Sequence, residues 1–384
     1  MPPHDPKEYL PENKVSLTLD GDLLNPANTT KPAQKTTYPF VDLIRFVATI
    51  GIVFIHTEIH SDNADSNTVL HQVKHAEYYF LLRQLFKFST ICYFMISGFL
   101  LADKSIDSKP FDYYKRRLRV IARPYVLAVF IFVALLVISN ALIHRQFQLS
   151  YVIAVIKYTV LYTAFWYIPN YFLCLLVIVC FSRYLGSLYF GAVLLLVTLC
   201  YTYLDVYSHN YTTSHTTALF GFVFYLWLGV YIKKRDLVSR IQKANPVLLG
   251  GLLLFIYLLC NAESYYLFYY TNTHDSLNTL RLSNQLYSVA VFVFLIRCCG
   301  KAPKFGIFNP RKETYGIYLY HSFFIFFIIP LVENWISKQF HVSFFSYNVF
   351  GLILITLLNF IVCYFATTAL VKLLLRWKLA YLPE

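Results

Sequence analysis

Apolar runs alternate with short polar stretches along this chain, and the runs are continuous rather than alternating residue by residue. Many reach the ~17–25 residues that a helix needs to cross a hydrocarbon layer. We place about ten spans, near 39–59, 79–102, 120–142, 164–182, 188–206, 217–232, 246–268, 281–299, 314–332 and 347–371. Backbone groups in lipid must be satisfied within their own segment, so the spans are predicted to be helices. A transmembrane barrel would show short segments of alternating hydrophobicity instead. The predicted fold class is all-α, a polytopic transmembrane helical bundle. Residues 1–37 are polar and without apolar periodicity, which predicts a disordered tail. The run that starts near Tyr38 is too long for the core of a signal peptide and lacks a small-residue cleavage site, so it is expected to remain as the first span. Even spacing without an internal repeat predicts one transmembrane domain over 38–375 and a short C-terminal tail over 376–384. One segment, 149–163, is apolar but leads straight into the fourth span. It reads as an interfacial helix with Lys157 on its wet side.

Composition agrees. Hydrophobic residues make up 58% of the chain and charged residues 14%, well below the roughly 25% charged content of soluble domains. A net charge of +13 raises the question of a nucleic-acid partner. The placement of the basic residues excludes it, because they gather in alternate loops. Lys104, Lys109, Lys115, Arg116, Arg117 and Arg119 follow the second span, Lys233, Lys234, Arg235, Arg240 and Lys243 the sixth, and Lys301, Lys304, Arg311 and Lys312 the eighth. That is the positive-inside pattern, and it predicts that both termini are cytoplasmic. The eight cysteines all lie in or beside apolar runs, without zinc-ligand spacing, and read as small buried residues. No metal is expected.

Candidate chemistry enters with the first span. Arg45 and His56 sit inside it, where an ionisable side chain is expensive and marks a functional site by default. Eleven residues apart, they share a helix face, roughly 16 Å from each other along the axis. Asp42, Arg45, Thr49, His56 and His60 fall on one stripe of an otherwise greasy helix. Such a seam should face a cavity or other helices. Asp42, at i−3 from Arg45, either pairs with it or orients it. Glu58 reads as a solvated helix end.

Several segments carry a resemblance. VDLIRFVATIGIVFIHT, with ten residues between Arg45 and His56, resembles the opening of the integral-membrane acyltransferase 3 family. YFMISGFLL from Tyr93 is similar to that family's second-span signature, and FDYYKRRLRVIARPY (111–125) to the basic segment before its third span. FWYIPNYFL (165–173) resembles its Trp-Phe/Tyr motif, and TYGIYLYHSFF (314–324) its penultimate-helix motif, with Thr314 in place of the commoner Ser. Five motifs in order cover most of residues 38–371. The resemblance implies a membrane O-acyltransferase that moves an acyl group, acetyl being the expected one, from cytoplasmic acyl-CoA to a hydroxyl of an extracytoplasmic carbohydrate or glycolipid. Acyl-CoA is then the co-substrate, membrane lipid and the glycan acceptor are the partners, and the cell membrane is the location.

Acyl transfer to a hydroxyl needs a base near neutral pH, which histidine supplies. His56 is the expected catalytic residue, either deprotonating the acceptor or carrying the acyl group itself. Arg45 and Asp42 join it in the expected catalytic set, the forked donors of Arg45 suiting a phosphate or a polarised carbonyl. Arg116, Arg117, Arg119 and Arg123 either hold the CoA phosphates or serve as plain inner-face anchors. Ser97 and Gly98 read as helix packing, since no base stands near Ser97 and Gly98 permits close approach. Trp166 and Tyr167 stack on a sugar or belong to an aromatic belt. Tyr318 and His321 touch substrate or make helix-packing hydrogen bonds. Two rivals remain: an exporter of an acylated glycan or lipid, whose permeation path would also show a polar seam, and a scaffold subunit, to which substitutions at Arg45 and His56 would be harmless. An inverted repeat would favour the exporter.

Overall fold

The computed structural model describes residues 38–57, 75–102, 109–144, 148–208, 215–271, 275–299, 308–340 and 348–377. The expected tail over 1–37, the end of the chain over 378–384, and Glu58 and His60 lie outside the described residues. The elements among the described residues are helical. In chain order the α-helices are α1 (Pro39–His56), α2 (Ala76–Gln84), α3 (Ser89–Leu101), α4 (Pro110–His144), α5 (Leu149–Tyr162), α6 (Tyr167–Cys180), α7 (Leu188–Thr202), α8 (Val223–Lys234), α9 (Leu237–Ile241), α10 (Pro246–Tyr270), α11 (Leu282–Cys298), α12 (Pro310–Phe323), α13 (Ile329–Phe340) and α14 (Val349–Arg376).

Local chemistry starts these helices where they start. Pro39 and Pro246 open α1 and α10, and Pro310 opens α12. Proline suits the first helical position because its missing N–H would be unpaired there anyway. Asn245 and Asn309, each just before a proline, accept bonds from Val247 N at 2.9 Å and Arg311 N at 3.1 Å. Asn348 caps α14 in the same way, accepting from Phe350 N at 3.0 Å.

Seven stretches among the described residues are long and apolar enough to cross a membrane: Pro39–His56, Ala76–Leu101, Pro110–Leu142, Leu188–Tyr207, Pro246–Tyr270, Pro310–Gln339 and Val349–Arg376. Leu149–Tyr162 and Ala164–Cys180 make an eighth if counted together, bent by 67° at Thr163. The two remaining expected spans fall on shorter helices, α8 with 12 residues and α11 with 17. The chain is thus an all-α, multi-pass membrane protein. Large apolar side chains such as Phe130, Leu142, Val247 and Phe350 point outward from their helices, as lipid requires.

α1 runs through the middle, packed against α3, α11, α12 and α14. The second span is not one helix. Between α2 and α3 the chain turns on three-residue steps, with Lys87 N bonding Gln84 O at 3.3 Å and Ser89 N bonding Phe86 O at 3.2 Å. Gly51 of α1 sits on this break, where a Cβ would come within 2.0 Å of Ser89 Oγ and 3.2 Å of the Phe86 carbonyl. The most extensive helix contact is between α3 and α8. Gly98 and Gly229 make it possible: a Cβ on Gly98 would stand 1.9 Å from Leu226 O, and one on Gly229 2.0 Å from Met95 O. Gly98 therefore does pack backbone against backbone.

Candidate active site

The α1 stripe is polar along its whole length, and its two ends are built differently. Near the N-terminal end, Asp42 is 9% exposed. Its carboxylate accepts a fork from Arg311 on α12, with Nε 3.1 Å from Oδ1 and 2.9 Å from Oδ2, and Nη2 2.5 Å from Oδ2. Arg45 Nη1 stands 3.6 Å from Asp42 Oδ1. So Asp42 meets Arg45 as the sequence allows, but its closer partner comes from a helix some 270 residues away in the chain. Two guanidinium groups share one carboxylate. Arg117 on α4 also acts electrostatically on Arg45.

The four arginines of α4 do not converge. Arg117 alone turns inward, hydrogen-bonding Tyr171 and lying near Tyr113 and Tyr167. Arg116, Arg119 and Arg123 are exposed, Arg116 with its guanidinium 5.8 Å from the Tyr113 ring centroid. Their i, i+3, i+7 spacing puts them on one outward face, where lipid phosphates can reach them.

Hydroxyls and rings fill the middle. Thr49 Oγ1 donates to Arg45 O at 2.6 Å, and lies 2.6 Å from Tyr93 OH and 3.3 Å from Thr314 Oγ1. Tyr167 packs among Phe94, Tyr318 and Tyr171, at ring distances of 4.8, 5.8 and 6.2 Å. Its hydroxyl also bonds Ser97, so Ser97 faces a phenol and no base. Trp166, 5% exposed, packs at 5.4 Å on both His215 and Phe222. It lies inside the bundle, not in a belt on its surface. Tyr318 donates to Ala164 O at 2.7 Å, which ties α12 to the bend at Thr163.

At the other end stand two imidazoles. His56, the last residue of α1, is half-buried, and its ring centroid is 5.3 Å from that of His321. His321 is fully buried. Its Nδ1 is 2.8 Å from Tyr318 O and 3.1 Å from Ile317 O. Both partners are acceptors, so Nδ1 carries the hydrogen and Nε2 carries a lone pair. That Nε2 is buried and has no hydrogen-bond partner. His56 makes no hydrogen bond to any described residue. The groups whose charge bears on it are His321, Lys87, His215 and Arg83. Arg83 Nη2 donates to Ile55 O at 3.1 Å. His215 Nδ1 lies 3.4 Å from Asp275 Oδ2 in the loop between α10 and α11. Burial alone would raise the Asp275 carboxyl, but contact with His215 and the charges of Lys87 and Arg83 outweigh it and hold it well below the usual carboxylate range.

The structure therefore joins His56 to His321, and Asp42 to Arg45. It adds Arg83 and Lys87, which sequence reasoning passed over, and it brings in His215, Asp275 and Arg311, which the sequence placed only in loops. Arg83 and Lys87 carried a usable signal, since both fall within the second span and invite the same reasoning as Arg45. Among the described residues no three His, Cys, Asp or Glu side chains gather to hold a metal ion.

A lone-pair nitrogen and an unbonded imidazole at one end of a charged seam suit proton transfer and nucleophilic attack. No curated protein and no solved structure matches the chain. The family model of an acyltransferase domain matches residues 38–377, a range that takes in every helix named above, so the chain belongs to the acyltransferase 3 family and is a multi-pass membrane acyltransferase.

Proposed function

We propose that this acyltransferase moves an acyl group, acetyl in the first instance, from cytoplasmic acyl-CoA to a hydroxyl of an extracytoplasmic carbohydrate or glycolipid. The reaction takes place within the cell membrane. One observation carries the proposal: His56, with no hydrogen bond to any described residue, faces His321, whose Nε2 is also without a partner. Buried polar atoms are nearly always bonded, and two open positions side by side fit a site whose missing partners are substrate atoms.

His56 takes the proton of the acceptor hydroxyl while that oxygen attacks the thioester carbonyl. A C–O bond forms, the C–S bond breaks, and the proton follows CoA as its thiol. In the two-step form His56 receives the acyl group first and hands it on. Both fit. With its Nδ1 hydrogen committed to the backbone, His321 offers Nε2 as acceptor, to the His56 N–H or to a second hydroxyl of the acceptor. Arg45 is held by Asp42 only at 3.6 Å, which leaves donors for a donor phosphate or carbonyl. Arg117, the inward arginine of α4, continues that charge toward the cytoplasmic mouth. Trp166, Tyr167 and Tyr318 form an aromatic wall against which acceptor or pantetheine can pack. Because the seam runs the length of α1, the acyl group crosses the bilayer while CoA stays inside.

The test is transfer of label from labelled acetyl-CoA in vesicles carrying the protein, followed by identification of the labelled product. Replacing His56 by Ala should lower transfer by about 10²–10⁴-fold, the usual worth of a positioned acid–base group. Full activity in that variant would refute the assignment.

A further inference from the structure

Lys87 lies in the break between α2 and α3, in the interior of a membrane span. It is 6% exposed, and it makes no hydrogen bond or ion pair with any described residue. The charged groups that bear on it are Arg83, Asp275 and Arg281. Two of these are cations. Arg281 is already satisfied, donating to Asn278 O at 3.2 Å, Cys260 O at 3.0 Å and Gln84 Oε1 at 2.5 Å. Arg83 donates to Ile55 O. Asp275 stands 3.4 Å from His215. Lys87 is thus the cation of this group that the fold leaves with no acceptor. Asp275 is the anion among these groups, and it stands first with His215. An ammonium inside a span without a bonded acceptor is costly, a cost that a negative charge formed on the substrate would offset. The backbone supports the point. The chain interrupts a span at Lys87, and Gly51 lets the break press against α1 one turn before His56. Lys87 is also among the charges that bear on His56.

We infer that Lys87 stabilises the oxyanion formed when the acyl-CoA thioester carbonyl is attacked at His56. This rests on the function proposed above and adds a residue to it. When a nucleophile bonds to the carbonyl carbon, the π pair moves onto the carbonyl oxygen. The ammonium donates a charge-assisted hydrogen bond to that oxygen. As the intermediate collapses, the pair returns, the C–S bond breaks and CoA leaves. Lys87 keeps its proton throughout. The same oxyanion arises whether the attacking atom is an acceptor hydroxyl or His56 itself, so the role holds for either route.

The experiment uses membranes holding the full chain and follows thiol release from acetyl-, propionyl- or succinyl-CoA, whichever the wild type consumes fastest. Lys87→Met should lower kcat by about 100-fold, the usual effect of deleting one oxyanion donor, with KM for the acyl-CoA within about threefold. Lys87→Arg keeps the charge and should recover at least a tenth of wild-type kcat. The thermal midpoint of Lys87→Met should stay level or rise, since an unpartnered buried charge has been removed. A structural lysine predicts the reverse, a lower midpoint with the Arg variant no better than Met. A loss confined to KM, or a kcat within threefold of wild type, overturns the inference while leaving the role of His56 intact. Wild-type membranes that consume none of the three donors overturn both. If His56→Ala stays fully active, the proposed function loses its base, and Lys87 still stands or falls on its own kcat.

Discussion

At the Arg45 end of α1 the charges on the stripe itself have company: Asp42 accepts three bonds from Arg311 and lies 3.6 Å from Arg45. At the His56 end, some 16 Å away by helix geometry, His56 and Lys87 bond to no described residue and His321 leaves Nε2 bare. Both ends sit on the same helix and in the same apolar surroundings. The difference lies in what the fold has finished. Closed pairs hold helices together, here α1 to α12 through Asp42 and Arg311. Open positions cost stability and persist where a substrate supplies the missing partner.

That contrast can be broken most sharply at His321. His321→Asn keeps a donor for the Ile317 and Tyr318 carbonyls and removes Nε2. It should lower acyl transfer by about 100-fold, in the range of acid–base groups, with the thermal midpoint unchanged. If instead activity survives and stability falls, the imidazole is only a helix tie. The next test compares the arginines of α4. Arg117→Gln should raise the acyl-CoA KM by about tenfold, the loss of one charge-assisted contact. The combined replacement of Arg116, Arg119 and Arg123 by Gln should change KM by only about twofold, and less at high salt, because exposed charges are screened. Equal effects would mean that the cofactor binds along the outward face. The smallest effect on activity is expected at the closed end. Asp42→Asn should cost about 1–2 kcal/mol of stability, below the about 3–5 kcal/mol of a fully buried pair because Arg311 is half exposed. Transfer should fall by less than about twofold in a stability-corrected assay. A dead enzyme of normal stability would move Asp42 into the chemistry.

Much of this was legible from the residues. Continuous apolar runs announce membrane helices because lipid allows little else, and the α1 stripe follows from helical spacing alone. Arg45 and His56 stand out because charge in an apolar run is rare. The length of each crossing was less visible. α8 forms only after a series of turns over 219–222, and hydropathy cannot tell a turn from a helix in an apolar stretch. The partner of Asp42 was hidden too. Arg311 reads as one more basic loop residue, and only the packing of α12 on α1 makes it a counter-ion. His321 gave away its identity as a candidate but not its tautomer, which depends on two carbonyls one turn back. Arg83 and Lys87 were visible in principle and were passed over, because the second span matched an apolar template well enough to hide two cations four residues apart.

The crossing of α3 and α8 has a mechanical consequence. Where Gly98 and Gly229 meet, carbonyls replace side chains as the contact, and neither helix can slide along the other without climbing over them. The pair behaves as a rivet. Tyr93 on α3, and Lys87 just ahead of it, are fixed to that rivet and travel only when α8 travels. Any widening that admits a bulky acceptor must then come from neighbours joined through side chains, among them α12, which α1 holds through the Asp42–Arg311 pair and the Thr49–Thr314 contact.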